Sequence, residues 1–231
     1  MSDPHRNPEL ITTADGSHSL FLPELNETYH SQHGALQESL HVFILKGIAD
    51  WMAEHPATEC INIFEVGFGT GLNALLAWQY AREEQLSIHY TSIEPYPIAA
   101  DLAEKINYGS LLGAVWPDHF MHLHKSAWAE PLQLDPHFTL HKVQTKLEDF
   151  APFGESQIIF FDAFAPNKQA ELWEVAPLRA CFEMTAPSGY LVTYCAQGQF
   201  KRNLKAAGYT VERLPGPPGK KEMTRGRKPA Q

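Results

Sequence analysis

One short stretch limits the folds open to this chain of 231 residues. Residues 61–66 read as a buried strand, apolar except at Asn62 and Glu65. It breaks at once into Gly67-Phe68-Gly69-Thr70-Gly71, and from Leu72 a helical pattern begins, with Leu72, Leu75, Leu76 and Tyr80 on one side. Strand, tight loop and helix in that order open a β-α-β unit, because parallel strands need a long crossover. The rest of the chain agrees. Apolar strands are predicted at 87–94, 138–143, 157–162, 190–195 and 209–214. Helices are predicted at 72–83, 98–106 and 200–207, with two short ones near 169–174 and 177–184, where Pro177 suits a helix start. Such alternation predicts a mainly parallel α/β sheet covered on both faces. Ahead of it, Asp15-Gly16 between two β-prone triplets marks a small hairpin, and residues 35–53 carry a one-sided apolar helix.

The glycine loop points to a ligand. Alternate glycines let the backbone approach a bound molecule where side chains would clash. In an open α/β sheet, ligands sit at the carboxyl ends of the strands. A phosphate-cradling loop would end in Gly-Lys-Ser/Thr, which is absent here. A dinucleotide fingerprint would need glycine where Leu72 stands. Glu65, two residues before Gly67, suits a cationic ligand better than a pyrophosphate. The reading is therefore S-adenosylmethionine, with Glu65 attracting the methionine ammonium directly or through water. Gly67, Gly69, Gly71 and Asn73 would shape the cofactor loop. Glu94 closes the next strand about 25 residues on and can accept both ribose hydroxyls, although an acid there can also be simply solvated. Asp162 closes an almost wholly apolar strand. A carboxylate at that edge can orient an amine and take its proton; the alternative is a helix cap.

Composition narrows the setting. No apolar run approaches the roughly 20 residues that span a bilayer, and no secretory leader is visible, so the chain reads as soluble and cytoplasmic. Cys60, Cys181 and Cys195 are far apart and odd in number, which argues against disulfides and a zinc knuckle. Twelve histidines include His119, His122, His124, His137 and His141, but without acidic or thiol partners they read as surface or packing residues, and no metal is expected. The net charge of −9 is uneven. From Phe200 to Gln231 nine basic residues oppose Glu212 and Glu222, a local +7. A basic end on an acidic body is either a polyanion contact or a solubilising tail.

These residues resemble the methyltransferase part of the MnmC wobble-uridine modification enzymes, in a stand-alone form. The resemblance runs through Glu27-Thr28-Tyr29-His30-Ser31, His33-Gly34-Ala35-Leu36-Gln37-Glu38-Ser39, the glycine loop and Asp162-Ala163-Phe164-Ala165-Pro166. It continues through Leu172-Trp173, Thr193-Tyr194-Cys195-Ala196 and Leu214-Pro215-Gly216-Pro217-Pro218-Gly219-Lys220-Lys221-Glu222-Met223. It implies a Rossmann-like methyltransferase fold spanning 1–231: a substrate-side extension at 1–56, a core at 57–214, and a basic loop and tail at 215–231. It also implies methylation of 5-aminomethyluridine, often 2-thiolated, at the tRNA wobble position. Asp162 would be catalytic. Tyr29, Ser31, Phe164, Tyr194, Lys220 and Lys221 would meet the substrate or the anticodon loop. Bifunctional relatives carry an FAD-dependent domain; 231 residues leave no room for it, so a separate enzyme is expected to supply the aminomethyl group. Related enzymes often place an acid near the adenine where Lys146 stands here, so Glu148 or Asp149 is the expected substitute. Two rival readings are an aminopropyltransferase and an idle RNA-binding protein of the same fold.

Overall fold

The computed structural model describes residues 7–152 and 154–230. An antiparallel sheet of β1 (Glu9–Thr12), β2 (His18–Leu22) and β3 (Glu27–Thr28) comes first. Its turn holds Gly16 at φ +83°, where a glycine is unstrained. That turn also caps the next helix, residues 35–54, from a distance. The amides of Ala35, Leu36 and Gln37 donate to Thr13 Oγ1 (3.3 Å), Ser17 Oγ (3.2 Å) and Asp15 Oδ2 (3.0 Å). Three donors left open at a helix start are thus satisfied by side chains about 20 residues upstream.

The main sheet contains β4 (Cys60–Val66), β5 (Ser87–Ile93), β6 (Pro131–Asp135), β7 (Phe138–Val143), β8 (Ser156–Phe161), β9 (Thr185–Thr193), β10 (Thr210–Pro215) and β11 (Glu222–Arg227). Their spatial order is β10-β11-β9-β8-β4-β5-β7-β6. The central five strands are parallel, and β6, β10 and β11 pair antiparallel at the two edges. Side chains alternate across it. Ile61 and Ile63 join the layer formed with helices 35–54 and Leu72–Glu84, while Phe64 and Val66 join the layer of helices Val175–Met184 and Gly198–Ala207. Helix 35–54 lies close on the sheet because Gly47 faces it; a Cβ there would sit 3.2 Å from Phe160 and 3.3 Å from Val192. Its middle, Leu40–Ala49, is wound with π geometry.

The chain runs from β4 outward through β5 to β7, then returns to β8 and β9 on the other side. The order reverses between β4 and β8, which opens a crevice at the carboxyl edge. Val66 lies opposite both Ile93 and Phe161, so Gly67, Glu94 and Asp162 fall in one row at that edge.

Two regions differ from the sequence expectation. Residues 215–227, expected as loop and tail, form a hairpin: the Pro/Gly run turns the chain, and β11 inserts between β9 and β10 with Met223, Thr224, Arg225 and Gly226 buried. The arginines hid the strand; each pairs with acids on neighbouring elements. Residues 107–135, read without structure, hold helices Tyr108–Leu112 and Trp116–Lys125 and edge strand β6. Only Trp116, Phe120 and Leu123 of the second helix are buried, and histidines fill much of the rest, which weakens its apolar pattern. The predicted helix at 98–106 contracts to Ala100–Ala103.

Candidate active site

The loop after β4 takes its shape from its glycines. Gly67, Gly69 and Gly71 have φ of +95°, +49° and +74°. A Cβ on Gly67 would lie 2.8 Å from the Asp162 carbonyl oxygen, and one on Gly69 would lie 3.1 Å from the Tyr29 ring. The loop is braced from below. His124 lies 3.1 Å from the Thr70 carbonyl through Nε2, and His30 Nε2 lies 3.5 Å from Thr70 Oγ1. Burial pushes both imidazoles down to about 4, so they brace the loop as neutral rings.

Above this row opens a cavity of about 480 Å³. Glu94 forms part of its wall. Its two oxygens accept the amides of Gly69 (3.0 Å) and Tyr96 (2.9 Å), and burial raises its carboxyl above the usual range. Each oxygen keeps a further lone pair for a ligand hydroxyl. Asp162 also lines the cavity. Asn73, in the first turn of helix Leu72–Glu84, donates through Nδ2 to Asp162 Oδ2 (2.8 Å) and to Glu65 Oε1 (3.1 Å). Two acceptors fix the amide orientation and leave Asn73 Oδ1 buried without a partner. Such an orphan acceptor costs free energy until a donor meets it, and Asn73 lines the cavity.

The carboxylates differ in access. Glu65 was expected to attract the cofactor ammonium directly or through water, but it lies behind Asn73, outside the cavity wall, and Ser92 closes its second oxygen at 2.6 Å. Its place on the same face as Ile63 turns it into the helical layer, and burial pushes it up to about 8, so it is largely protonated at neutral pH. Asp162 is pushed up to about 7, again by burial, with Asn73 pulling against the shift. An acid poised there can hold or release a proton near neutrality.

The opposite wall joins segments that lie far apart in the chain. Tyr29, His30, Ser31 and Glu38 arrive from the N-terminal side, Phe164 and Tyr194 from the ends of β8 and β9, and Lys220 from the β10–β11 hairpin. Tyr29 meets Phe164 edge-on at 5.1 Å between ring centroids. Tyr194 donates its hydroxyl to the Ala163 carbonyl at 2.8 Å. Trp173 is buried and donates to the Phe164 carbonyl at 2.8 Å, so it packs beneath this wall.

Other expected residues fall elsewhere. Glu148 lines the cavity beside Lys146, 3.4 Å away, and Leu147; Asp149, at the end of the same short turn, is exposed and outside it. Lys220 lines the cavity, while Lys221 is exposed beyond it. Several basic residues near the end of the chain are paired with acids. Lys201 is buried against Glu222 at 2.5 Å, and Arg225 and Arg227 pair with Glu212, Asp50 and Glu54. Glu38 was not singled out by chemistry from the sequence, although its helical position places it on the inner face. Among the described residues no group of three or more His, Cys, Asp or Glu is placed to hold a metal ion, and no helix is long and apolar enough to cross a membrane.

Residues 107–229, more than half the chain, match the family of S-adenosyl-L-methionine-dependent methyltransferases. The chain belongs to that family. It is 30% identical over 230 residues to the tRNA 5-methylaminomethyl-2-thiouridine biosynthesis bifunctional protein MnmC of Cupriavidus metallidurans, covering 94% of this chain and 33% of that protein. The protein of the same name from Pseudomonas paraeruginosa is 30% identical over 223 residues, covering 87% and 32%. The methyltransferase thus spans about a third of these curated relatives. The crystal structure of MNMC2 from Aquifex aeolicus superposes with a TM-score of 0.77 at 25% identity, covering 97% of this chain and 72% of that one. Spermidine synthase from Thermotoga maritima, at TM-score 0.52 and 12% identity, shares the fold.

Proposed function

We propose that this methyltransferase converts 5-aminomethyluridine, with or without 2-thiolation, to 5-methylaminomethyluridine at the wobble position of tRNA. The observation that carries the reading is Asp162. It is a cavity-lining carboxylate pushed up to about 7, in one row with the glycine loop and facing an aromatic wall. Similarity to proteins named for 5-methylaminomethyl-2-thiouridine biosynthesis supports the substrate.

S-adenosylmethionine, when bound, supplies an electrophilic methyl group. The cavity's size, the glycine loop, the spare lone pairs of Glu94 and the orphaned Asn73 Oδ1 fit such a group. Glu94 would hold the ribose, Asn73 the methionine amine, and Leu147 and Glu148 the adenine side. The acceptor amine arrives largely as an ammonium, which has no lone pair. Asp162 accepts its proton, and a base near the working pH does this most effectively. Asn73 fixes the carboxyl so that the nitrogen is held in line, an effect worth up to roughly 7–11 kcal/mol in favourable cases. Tyr29, Phe164 and Tyr194 offer ring faces and edges to an unstacked base, and an anticodon loop presents bases already unpaired. The amine would come from a separate enzyme, and a tRNA substrate places the reaction in the cytoplasm.

Nucleoside mass spectrometry of tRNA from a strain lacking the gene tests this reading. Accumulated 5-aminomethyluridine, restored to the methylated form by the purified protein, is the expected result. Unchanged nucleosides, or methylation of another position, would overturn it. Polyamine acceptors in the same assay should give no product.

A further inference from the structure

Glu38 and Lys220 lie 182 residues apart and meet at 2.5 Å beside the cavity. Glu38 is buried, and both its oxygens are used. Oε1 accepts the Ser31 amide at 3.0 Å, and Oε2 accepts Lys220 Nζ. One carboxylate therefore ties the N-terminal cavity segment to the β10–β11 hairpin. The ammonium also lies 4.1 Å from the centroid of the Tyr194 ring, and Tyr194 in turn bonds the Ala163 carbonyl, next to Asp162. The hairpin is seated on the same N-terminal segment at two more points. His41 Nε2 lies 2.8 Å from the Pro215 carbonyl, and Gly219, at φ +82°, packs so closely on His33 that a Cβ would overlap the ring.

We propose that Glu38 and Lys220 are positioning residues for methyl transfer: the pair clips the two ends of the chain together and holds the acceptor wall, with Tyr194 and Ser31, in place over Asp162. This rests on the amine-methylating reading above. A buried ion pair is a weak source of stability, since desolvation offsets its attraction. It does fix geometry, and each partner leaves its own electrostatic trace on the reacting carboxyl. Glu38 raises the proton affinity of Asp162 and Lys220 lowers it. The other titratable groups facing Asp162 are Glu65 from β4, Tyr90 from β5, Tyr108 from its short helix and Tyr194 from β9. None of these changes in the variants below.

The test uses Glu38→Gln, Lys220→Met and Lys220→Arg in the full chain. It compares S-adenosylmethionine affinity by calorimetry with single-turnover methylation of 5-aminomethyl tRNA across pH. Expected are cofactor affinities within about twofold of wild type and kcat/KM lower by about tenfold or more for Glu38→Gln and Lys220→Met, the scale of one hydrogen bond to a charged group. Lys220→Arg should recover most of the loss. The midpoint of the pH–rate profile should move down in Glu38→Gln and up in Lys220→Met, a pair of opposite shifts that loosened packing alone would not give. Unchanged kcat/KM, or midpoints that stay together, would overturn the clip. If Glu38→Gln fails to fold, the Lys220 pair of variants carries the test. If wild type binds the cofactor but methylates no tRNA amine, the functional reading fails and the clip with it. Active wild type with indifferent variants sinks the clip alone.

Discussion

The two walls of the cavity are made in different ways. The wall we assign to the cofactor comes from the ends of adjacent strands, residues 66–73, 93–96 and 146–148, and from the end of β8. Its shape is written in backbone: positive φ at three glycines, and amides of Gly69 and Tyr96 turned onto Glu94. The wall we assign to the acceptor is assembled from segments far apart in the chain and is held by side chains such as Glu38, Lys220 and Trp173. A backbone-built wall is set by local sequence and tolerates few substitutions. A wall built by distant side chains can be retuned one residue at a time without disturbing the other. Cofactor binding and acceptor chemistry should therefore separate under mutation, even at Asp162, which lines the cavity between the two walls.

Asp162 should show the largest effect. Asp162→Asn keeps the shape and can still accept from Asn73, yet it cannot take a proton. Methyl transfer should fall by about 10²-fold or more, while S-adenosylmethionine affinity stays near wild type. Single-turnover rates at saturating cofactor are the measurement, and near wild-type turnover would reduce Asp162 to a cap. On the cofactor wall, Glu94→Ala removes the expected ribose contact and leaves two loop amides without an acceptor. Cofactor affinity should drop by about tenfold or more, at about 1.5–3 kcal/mol per charged hydrogen bond. Tyr29→Ala, across the cavity, should instead raise KM for tRNA with little change in cofactor affinity. If both variants changed the same constant, the separation of the walls would fail.

The same contrast governs what the sequence made legible. The glycine loop, Glu94 and Asp162 were readable because each ends a strand of a β-α-β chain, and such ends share one edge of the sheet. Glu65 was readable as a carboxylate but not as a buried one; only the pleat shows that it faces the helical layer behind Asn73. Glu38 was unreadable as a site residue, because its partner stands 182 positions away. Strand β11 was hidden for a related reason. Arg225 and Arg227 look like tail residues until Glu212, Asp50 and Glu54 are placed against them. Charge counted along the chain left open a polyanion contact or a solubilising tail, where the fold pairs Lys201, Lys220, Arg225 and Arg227 with acids.

Burial on the cofactor side has a consequence for stability. Glu65 is raised from 4.5 to about 8 in the folded chain, so folding favours its protonated form. That contribution is fully present below about pH 4.5 and is lost as pH rises through 8. Asp162 adds a smaller loss of the same sign toward 7. His30 and His124, lowered from 6.5 to about 4, act oppositely: their contribution is present above 6.5 and is lost as pH falls toward 4. Melting temperature should therefore decline on both sides. Glu65→Gln should remove its share of the decline between about pH 4.5 and 8, a difference of several degrees by pH 9, given roughly 2–4 °C per kcal/mol for a chain of this size. Calorimetric scans from pH 5 to 9 test it, and an alkaline slope equal to wild type would place the Glu65 carboxyl outside this balance.

The smallest effect is expected at the outer limit of the acceptor wall. Lys220 and Lys221 are neighbours in sequence, but the fold separates their tasks. Lys220 is neutralised by Glu38, so it has few counterions to release to a phosphate. Lys221 is exposed next to the same turn and lies outside the cavity. If the hairpin touches the anticodon backbone, Lys221→Ala should weaken tRNA binding modestly and flatten the slope of log affinity against log salt by about 0.7, the value for one contact to a single strand. Cofactor affinity and the pH midpoint should not move. Titrations at several salt concentrations decide the matter. An unchanged slope would mean that the nucleic-acid contact ends at the cavity rim, with Lys221 merely solvated. A slope change well beyond one contact would mean that removing Lys221 displaces neighbouring phosphate contacts as well, and that the hairpin as a whole lies on the nucleic-acid backbone.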